Sequence, residues 1–285
     1  MTERLADVSR QIHGIRQLNA VVSAMRGIAA ARAEQGRSLL AGVRAYSEVV
    51  AHAIAQALRL VPGPEIGASP GPGSKTGVIL FCAEQGFAGT LSDRVLDRAV
   101  ADLAGAEMFL IGTRGTILAE QRRIPIAWDT RMVSHPGAVA ALASRVADAL
   151  YERIQRDGLT AVDVLFPAWS AESGVQVVRR SLMPMQPRRF ADIPRYQTPL
   201  TTLPGSVLLE QLAEEYVFAE LCEAAMQAFV VENEARVEKM GSAGRNIERM
   251  LTGLQAHERR VRQEEITAEI VELAGAAGLV HSARA

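Results

Sequence analysis

All twelve prolines of this 285-residue chain lie between Pro62 and Pro204. An interior proline removes a backbone donor and clashes with the preceding turn, costing a helix about 3 kcal/mol. Both ends of the chain are therefore free to be long helices, and the middle is not. A helix of about 55 residues would be about 80 Å long, too long for one compact domain, where helices average about three turns.

The apolar spacing agrees. In the first segment Leu5, Val8, Ile12 and Ile15, then Val22, Met25 and Ile28, recur mostly three or four apart. Asn19 and Arg26 interrupt one version of that seam. The last segment is cleaner: Met226, Asn233, Met240, Ile247, Leu254 and Val261 are spaced by sevens, with Val230, Val237, Gly244 and Leu251 four residues after successive members. That is a sustained heptad pattern whose weak points are Asn233 and Gly244. It slips after Val261, where the next apolar residues are Ile266, Ile270 and Leu273. Two terminal helices that each need a partner bury their stripes most economically against each other, as an antiparallel coiled coil.

The middle reads as strand and helix in turn. Gly77–Cys82 is a buried strand, followed by a glycine-containing turn and a helix near 91–104. Glu107–Ile111 is a second strand before a helix over 113–122, and Ile124–Ala127 a short third strand. A helix over 137–156 precedes the strand Val162–Phe166. The order predicts a parallel-leaning, Rossmann-like α/β domain over 77–190. Linkers over 62–76 and 191–205 join it to the helices of 1–61 and 206–285. The fold class expected is thus α/β, with a long antiparallel coiled coil.

Little in the sequence offers chemistry. The five histidines, His13, His52, His135, His257 and His281, have no helical metal-ligand spacing. Cys82 and Cys222 are far apart and form no Cys-x-x-Cys pair, so a disulfide scaffold or zinc site is not expected, and a reducing cytosol fits. Gly71–Thr76 imitates a phosphate loop, but Ser74 replaces the glycine before the lysine and the stretch precedes its strand. Glu84-Gln85-Gly86-Phe87-Ala88-Gly89 does link strand to helix, yet lacks the three-glycine dinucleotide spacing. Gly86 and Gly89 then read as a tight turn or an inter-subunit contact, and Gly112–Gly115 as a similar turn. Acidic pairs such as Glu214-Glu215 and Glu264-Glu265 read as solvated helix faces. The net charge of −1 gives no reason to invoke nucleic acid. No run of residues approaches the roughly 18 apolar positions of a membrane span, so any membrane association is expected through partners. The small-residue stretch Met25–Arg32 fits either a close helix–helix approach or a smooth shaft turning inside a partner.

Two motif sets resemble a known family. Arg10-Gln11-Ile12-x-x-Ile15, then Met25-x-x-Ile28-Ala29-Ala30-Ala31-Arg32, is similar to the N-terminal helix of F-type ATP synthase γ subunits. Glu232-Asn233-Glu234-Ala235-Arg236-x-x-x-Met240, with Ala243 and Asn246, then Arg262-Gln263-x-x-Ile266-Thr267-x-Glu269-Ile270, resembles that family's C-terminal signature. The middle departs from it: the turn after the first strand keeps its glycines but loses a charged pair. The departure suggests a divergent member, of a sodium-coupled or secondary ATPase, although the coupling ion, H⁺ or Na⁺, is chosen by membrane subunits.

The resemblance implies a central-stalk rotor without a catalytic site or cofactor of its own. Its partners would be the α and β subunits of the catalytic hexamer, the ε subunit and the c subunits of the membrane rotor ring. It would lie at the cytoplasmic face of a bacterial inner membrane. By position in the family, Arg262, Gln263 and Thr267 would hydrogen-bond a β-subunit catch loop, and Met25 and Arg236 would face each other across the coil in the coupling region. Two other readings stand beside this one: a stand-alone small-molecule-binding α/β protein with helical dimerisation arms, and a generic coiled-coil scaffold.

Overall fold

The computed structural model describes residues 5–61, 75–102, 105–170, 172, 174–185, 190 and 200–282, with the backbone alone for 275–282. The stretch 63–74 and most of the segment from Pro184 to Pro204 lie outside the described residues; of the phosphate-loop imitation only Lys75 and Thr76 fall inside, in a strand. The two proline-free ends each form one helix: α1 spans Leu5–Ala57, 53 residues, and α5 spans Gly205–Ser282, 78 residues. The chain divides into two compact units, Met1–Ile28 with Val237–Ala285, and Ala29–Arg236.

In the first unit the helices pair antiparallel. The Leu5 N–H donates to the Glu265 carboxylate at 3.4 Å and the Ser9 hydroxyl to Glu258 at 2.7 Å. Val22, Met240 and Ile247 form a buried cluster flanked by Ile15, Met25, Ala243 and Leu251. The heptad positions Met240, Ile247 and Val261 are buried, and Asn19 sits half-buried on the α1 seam. Ile28, expected on that seam, is instead 55% exposed. Burial stops at the register slip: every residue from 262 to 274 is exposed.

The second unit carries the sheet. Its strands are β1 (Lys75–Phe81), β2 (Glu107–Ile111), β3 (Trp128–Thr130), β4 (Leu159–Ser170) and β5 (Gly174–Met183). Between them run α2 (Leu91–Asp102), α3 (Thr113–Gln121) and α4 (Val139–Asp157). The strand order is β3-β2-β1-β4-β5, parallel except for β5, which is antiparallel to β4. Ile79 and Phe81 pack with α4 and with α5 residues Val217–Phe229, while Val78 and Leu80 pack with α2 and α3. Helices cover both faces, which is why β1 is a continuous apolar run instead of an alternating one.

Two sequence expectations need correction. The third strand lies at 128–130, not 124–127. Ile124 caps α3 through its N–H to the Ala119 carbonyl, Pro125 has no N–H to offer, and regular pairing with β2 begins only at Trp128. β5 was not foreseen, and β4 runs on past Phe166 to pair with it. Pro167 lies in that continuation, opposite Val177 of β5. It follows Leu165, the last residue paired to β1, so its missing donor costs no bond on that side.

Candidate functional site

In a doubly wound sheet, ligands bind beyond the C-terminal ends of the strands, and phosphates sit on the backbone N–H groups of the first strand-to-helix turn. Here that turn is anchored first to its own neighbours. The Cys82 N–H reaches the Ile111 carbonyl at 2.8 Å, and the Ala83 N–H reaches the Ser92 hydroxyl oxygen at 3.1 Å. Burial pushes the Cys82 thiol up to about 12, so it is an inert packing group. Phe87 and Gly89 both adopt φ of 64°, which gives the turn its reversal. Gly89 does so at little cost, whereas Phe87 is strained and 62% exposed.

The anion positions of this turn are already taken. The Glu84 and Gln85 N–H groups donate to the two carboxylate oxygens of Glu232, on α5, at 3.0 and 3.1 Å. The same carboxylate accepts from the Arg236 guanidinium one helical turn on. Arg236 also donates to Asn233 Oδ1 at 3.0 Å and to the Gly86 carbonyl at 3.3 Å. The start of α3 is filled likewise: Glu84 accepts from the Thr113 N–H (3.1 Å), the Thr113 hydroxyl (2.8 Å) and the Met132 N–H (2.8 Å). Gly112, at φ 110°, must be glycine, because a Cβ would stand 2.4 Å from the Cys82 carbonyl oxygen. A nucleotide phosphate would have to displace two internal carboxylates. This geometry tells against the small-molecule-binding alternative.

A second charged cluster ties β5 to the helices. Arg180 donates to Glu220 at 2.7 Å and Glu223 at 2.9 Å, with its guanidinium carbon 5.2 Å from the centre of the Phe166 ring. Glu223 also accepts from Gln227 at 2.7 Å and lies 3.6 Å from Arg44 of α1. Burial works against both charges, yet mutual pairing wins. Arg180 is raised further above its ordinary value, and Glu223 is held below the usual carboxylate range.

The residues singled out in the sequence separate into two sets. Arg262, Gln263 and Thr267 all lie in the exposed stretch of the first unit. Arg262 has only a 3.8 Å ion pair with Glu258, and the Thr267 hydroxyl donates to the Gln263 carbonyl at 2.7 Å. Around them Ile266, Ile270, Val271 and Leu273 are 50–71% exposed. Met25 is half-buried in the Val22–Met240–Ile247 cluster of that unit. Arg236 belongs to the other unit, where it is 4% exposed and wholly engaged with its own chain. Gly86 contributes its carbonyl to that engagement. Sequence reasoning names Glu84 and Glu232 only inside motifs, without a role, and passes over Arg180. The i, i+4 spacing of Glu232 and Arg236 was readable, but not the turn they hold. Among the described residues no group of metal-ligating side chains comes together, and no helix is long and apolar enough to cross a membrane.

The class these features define is one of two long terminal helices and a doubly wound domain whose phosphate-type N–H positions are taken by its own carboxylates. Residues 4–279 match the family model described as ATP synthase, and the chain belongs to that family. The curated relatives it resembles are ATP synthase gamma chains. That of Parafrankia sp. (strain EAN1pec) is 25% identical over an alignment 301 positions long, gaps included, covering 99% of both chains. That of Frankia casuarinae is 26% identical at the same coverage. Among solved structures, a chain of the Euglena gracilis mitochondrial ATP synthase superposes with a TM-score of 0.66 at 10% identity, covering 98% of this chain and 95% of that one. A chain of the Tetrahymena thermophila mitochondrial ATP synthase central stalk and c-ring gives 0.53 at 15% identity, with 78% and 99% covered. These likenesses bear on the fold alone.

Proposed function

We propose that this chain is the γ rotor subunit of an F-type ATP synthase, carrying torque between a membrane rotor ring and a catalytic α/β hexamer. The observation that carries the reading is the end-to-end match to gamma chains, over 99% of each chain. The occupied anion positions of the sheet add to it, since the N–H groups that a nucleotide phosphate would use are bonded to Glu232 and Glu84. The chain has no catalytic site of its own and acts at the cytoplasmic face of a bacterial inner membrane, held there by its partners.

In this reading the antiparallel coil stands within the hexamer, and the α/β domain meets the ε subunit and the c-ring. An asymmetric shaft presents a different face to each β subunit as it turns. Only such differential contacts can bias each subunit's closure and hence its nucleotide affinity. Arg262, Gln263 and Thr267 are the donors offered to a β-subunit loop. Support comes from their exposure and from the apolar side chains exposed beside them, a combination characteristic of surfaces that partners cover. Guanidinium and amide groups on a rigid helix suit bonds that are made and broken at each step. Co-expression with the α and β subunits tests the assignment. The chain is expected to co-purify in a complex with the hexamer. Its consistent absence from an otherwise assembled hexamer, together with tight nucleotide binding by the isolated chain, would instead favour the small-molecule-binding protein.

A further inference from the structure

We propose that Glu232 is the built-in anion of a phosphate-type site, and that through it the sheet grips α5 against rotation about its own axis. The inference deepens the rotor reading and rests on it for its functional consequence. The site itself rests on geometry within one unit. Two consecutive N–H groups of the first strand-to-helix turn converge on one carboxylate, at 3.0 and 3.1 Å, and a guanidinium completes the shell. Both charged side chains are 5% exposed. Asn233 steadies the cation while donating to its own helix at Phe229. In a nucleotide-binding relative of this architecture the occupant of such a turn would be a diffusible phosphate. Here it is covalently part of α5.

That difference matters mechanically. The rest of the contact between the sheet and α5 is largely apolar, through Val217, Leu221, Ala224, Ala225 and Phe229. Apolar burial resists separation but is non-directional. It opposes rotation of a helix under load less well than charge-assisted bonds of fixed geometry. Glu232 holds α5 at the C-terminal end of β1, while Arg180 holds Glu220 and Glu223 from β5. The two grips stand on different strands, so α5 cannot turn without breaking one of them. Glu232 is thus a positioning residue for torque.

The test uses the full chain and formate, a carboxylate without a side chain. In Glu232→Ala, exchange of the Glu84 and Gln85 amide hydrogens is expected to accelerate by about tenfold or more, the loss of a protecting bond of roughly 1.4 kcal/mol. Formate should restore protection. The double variant Glu232→Met with Arg236→Met leaves no unpaired buried charge to unfold the chain. Its two amides should also exchange fast, but without rescue, because the guanidinium is gone. In the assembled complex, Glu232→Ala should depress ion-driven ATP synthesis more than unloaded ATP hydrolysis, with formate closing part of the gap. Amides that remain protected in both variants would overturn the anion site, as would formate having no effect on the single variant. Equal loss of synthesis and hydrolysis would overturn the torque role. If the chain failed to assemble with the hexamer at all, the rotor reading would fall while the amide result still stood.

Discussion

Gly36 lies where α1 and α5 approach closely within the second unit, and it tests that packing quantitatively. A Cβ at Gly36 would stand 2.7 Å from Val230 Cγ2 and 3.2 Å from Phe229 Cδ1, whose residues are 6% and 2% exposed. A β-branched side chain on a helix has one strongly preferred rotamer, so the Val230 methyl has little freedom to turn away. Gly→Ala in a helix interior gains about 1 kcal/mol from propensity. Overpacking a closed interface costs about 1–3 kcal/mol, so Gly36→Ala should be destabilising by about 1 kcal/mol net. Gly42, further along the same helix, has nothing within 4 Å of its Cβ position. Gly42→Ala should therefore keep the propensity gain and be stabilising. The same chemical change in the same helix is expected to move the urea midpoint in opposite directions. The slope of the transition should stay constant in both, so that the shifts report stability and not compactness. If both variants were stabilised equally, the close approach of α1 to Val230 would be refuted.

Two further perturbations follow from the charged groups. Because the folded pKa of Glu223 is depressed, its pairing contributes stability that is present above the ordinary carboxylate value of about 4.3 and is lost as pH falls through the folded value. The stability gap between the wild type and Glu223→Gln should be full at neutral pH and close on acidification below that range in urea titrations; a gap that widens on acidification would reverse the assignment. Arg262→Ala with Gln263→Ala should change the chain's own stability by no more than about 0.5 kcal/mol, since the 3.8 Å Arg262–Glu258 pair is exposed. The same double variant should sharply reduce coupled ATP turnover in the assembled complex, and full turnover would remove these residues from the mechanism.

What the sequence disclosed were the periodic features. Proline exclusion and the seven-residue spacing from Met226 to Val261 depend only on local propensity and on which face is apolar, and both helices follow them. The slip after Val261 coincides with the loss of all burial: Leu5, the first described residue of α1, meets Glu265, and the apolar residues Ile266, Ile270 and Leu273 lie past it and are exposed. β1 and β2 were equally plain, being buried on both faces, whereas β3, three residues with no buried position, was misplaced. β5 was not foreseen. Its residues Gly174–Met183 are mostly half-buried, with Arg179 and Arg180 side by side, and carboxylates remote in sequence make that pair tolerable: Asp163 on β4 for Arg179, and Glu220 and Glu223 on α5 for Arg180. Glu232 was hidden for a related reason. Its partners are backbone N–H groups nearly 150 positions away, and any residue except proline supplies those, so no side-chain pattern marks the turn that receives it.

Arg236 shows how far a motif match can carry. The family pattern picks it out beside Met25 as a coupling residue, yet its guanidinium is buried and bonded to Glu232, Asn233 and the Gly86 carbonyl. A side chain so enclosed spends its hydrogen bonds within its own chain. What it holds is the turn ending in Phe87, a large apolar side chain at φ 64° and 62% exposed. Positive φ is unfavourable for a bulky residue and persists only when the surroundings enforce it. Arg236 and Glu232 fix the backbone on the near side of Phe87, and α2 begins just beyond it. The charged pair on α5 and the exposed aromatic are therefore parts of one device, so the conformation of the turn depends on the helix that would carry the load.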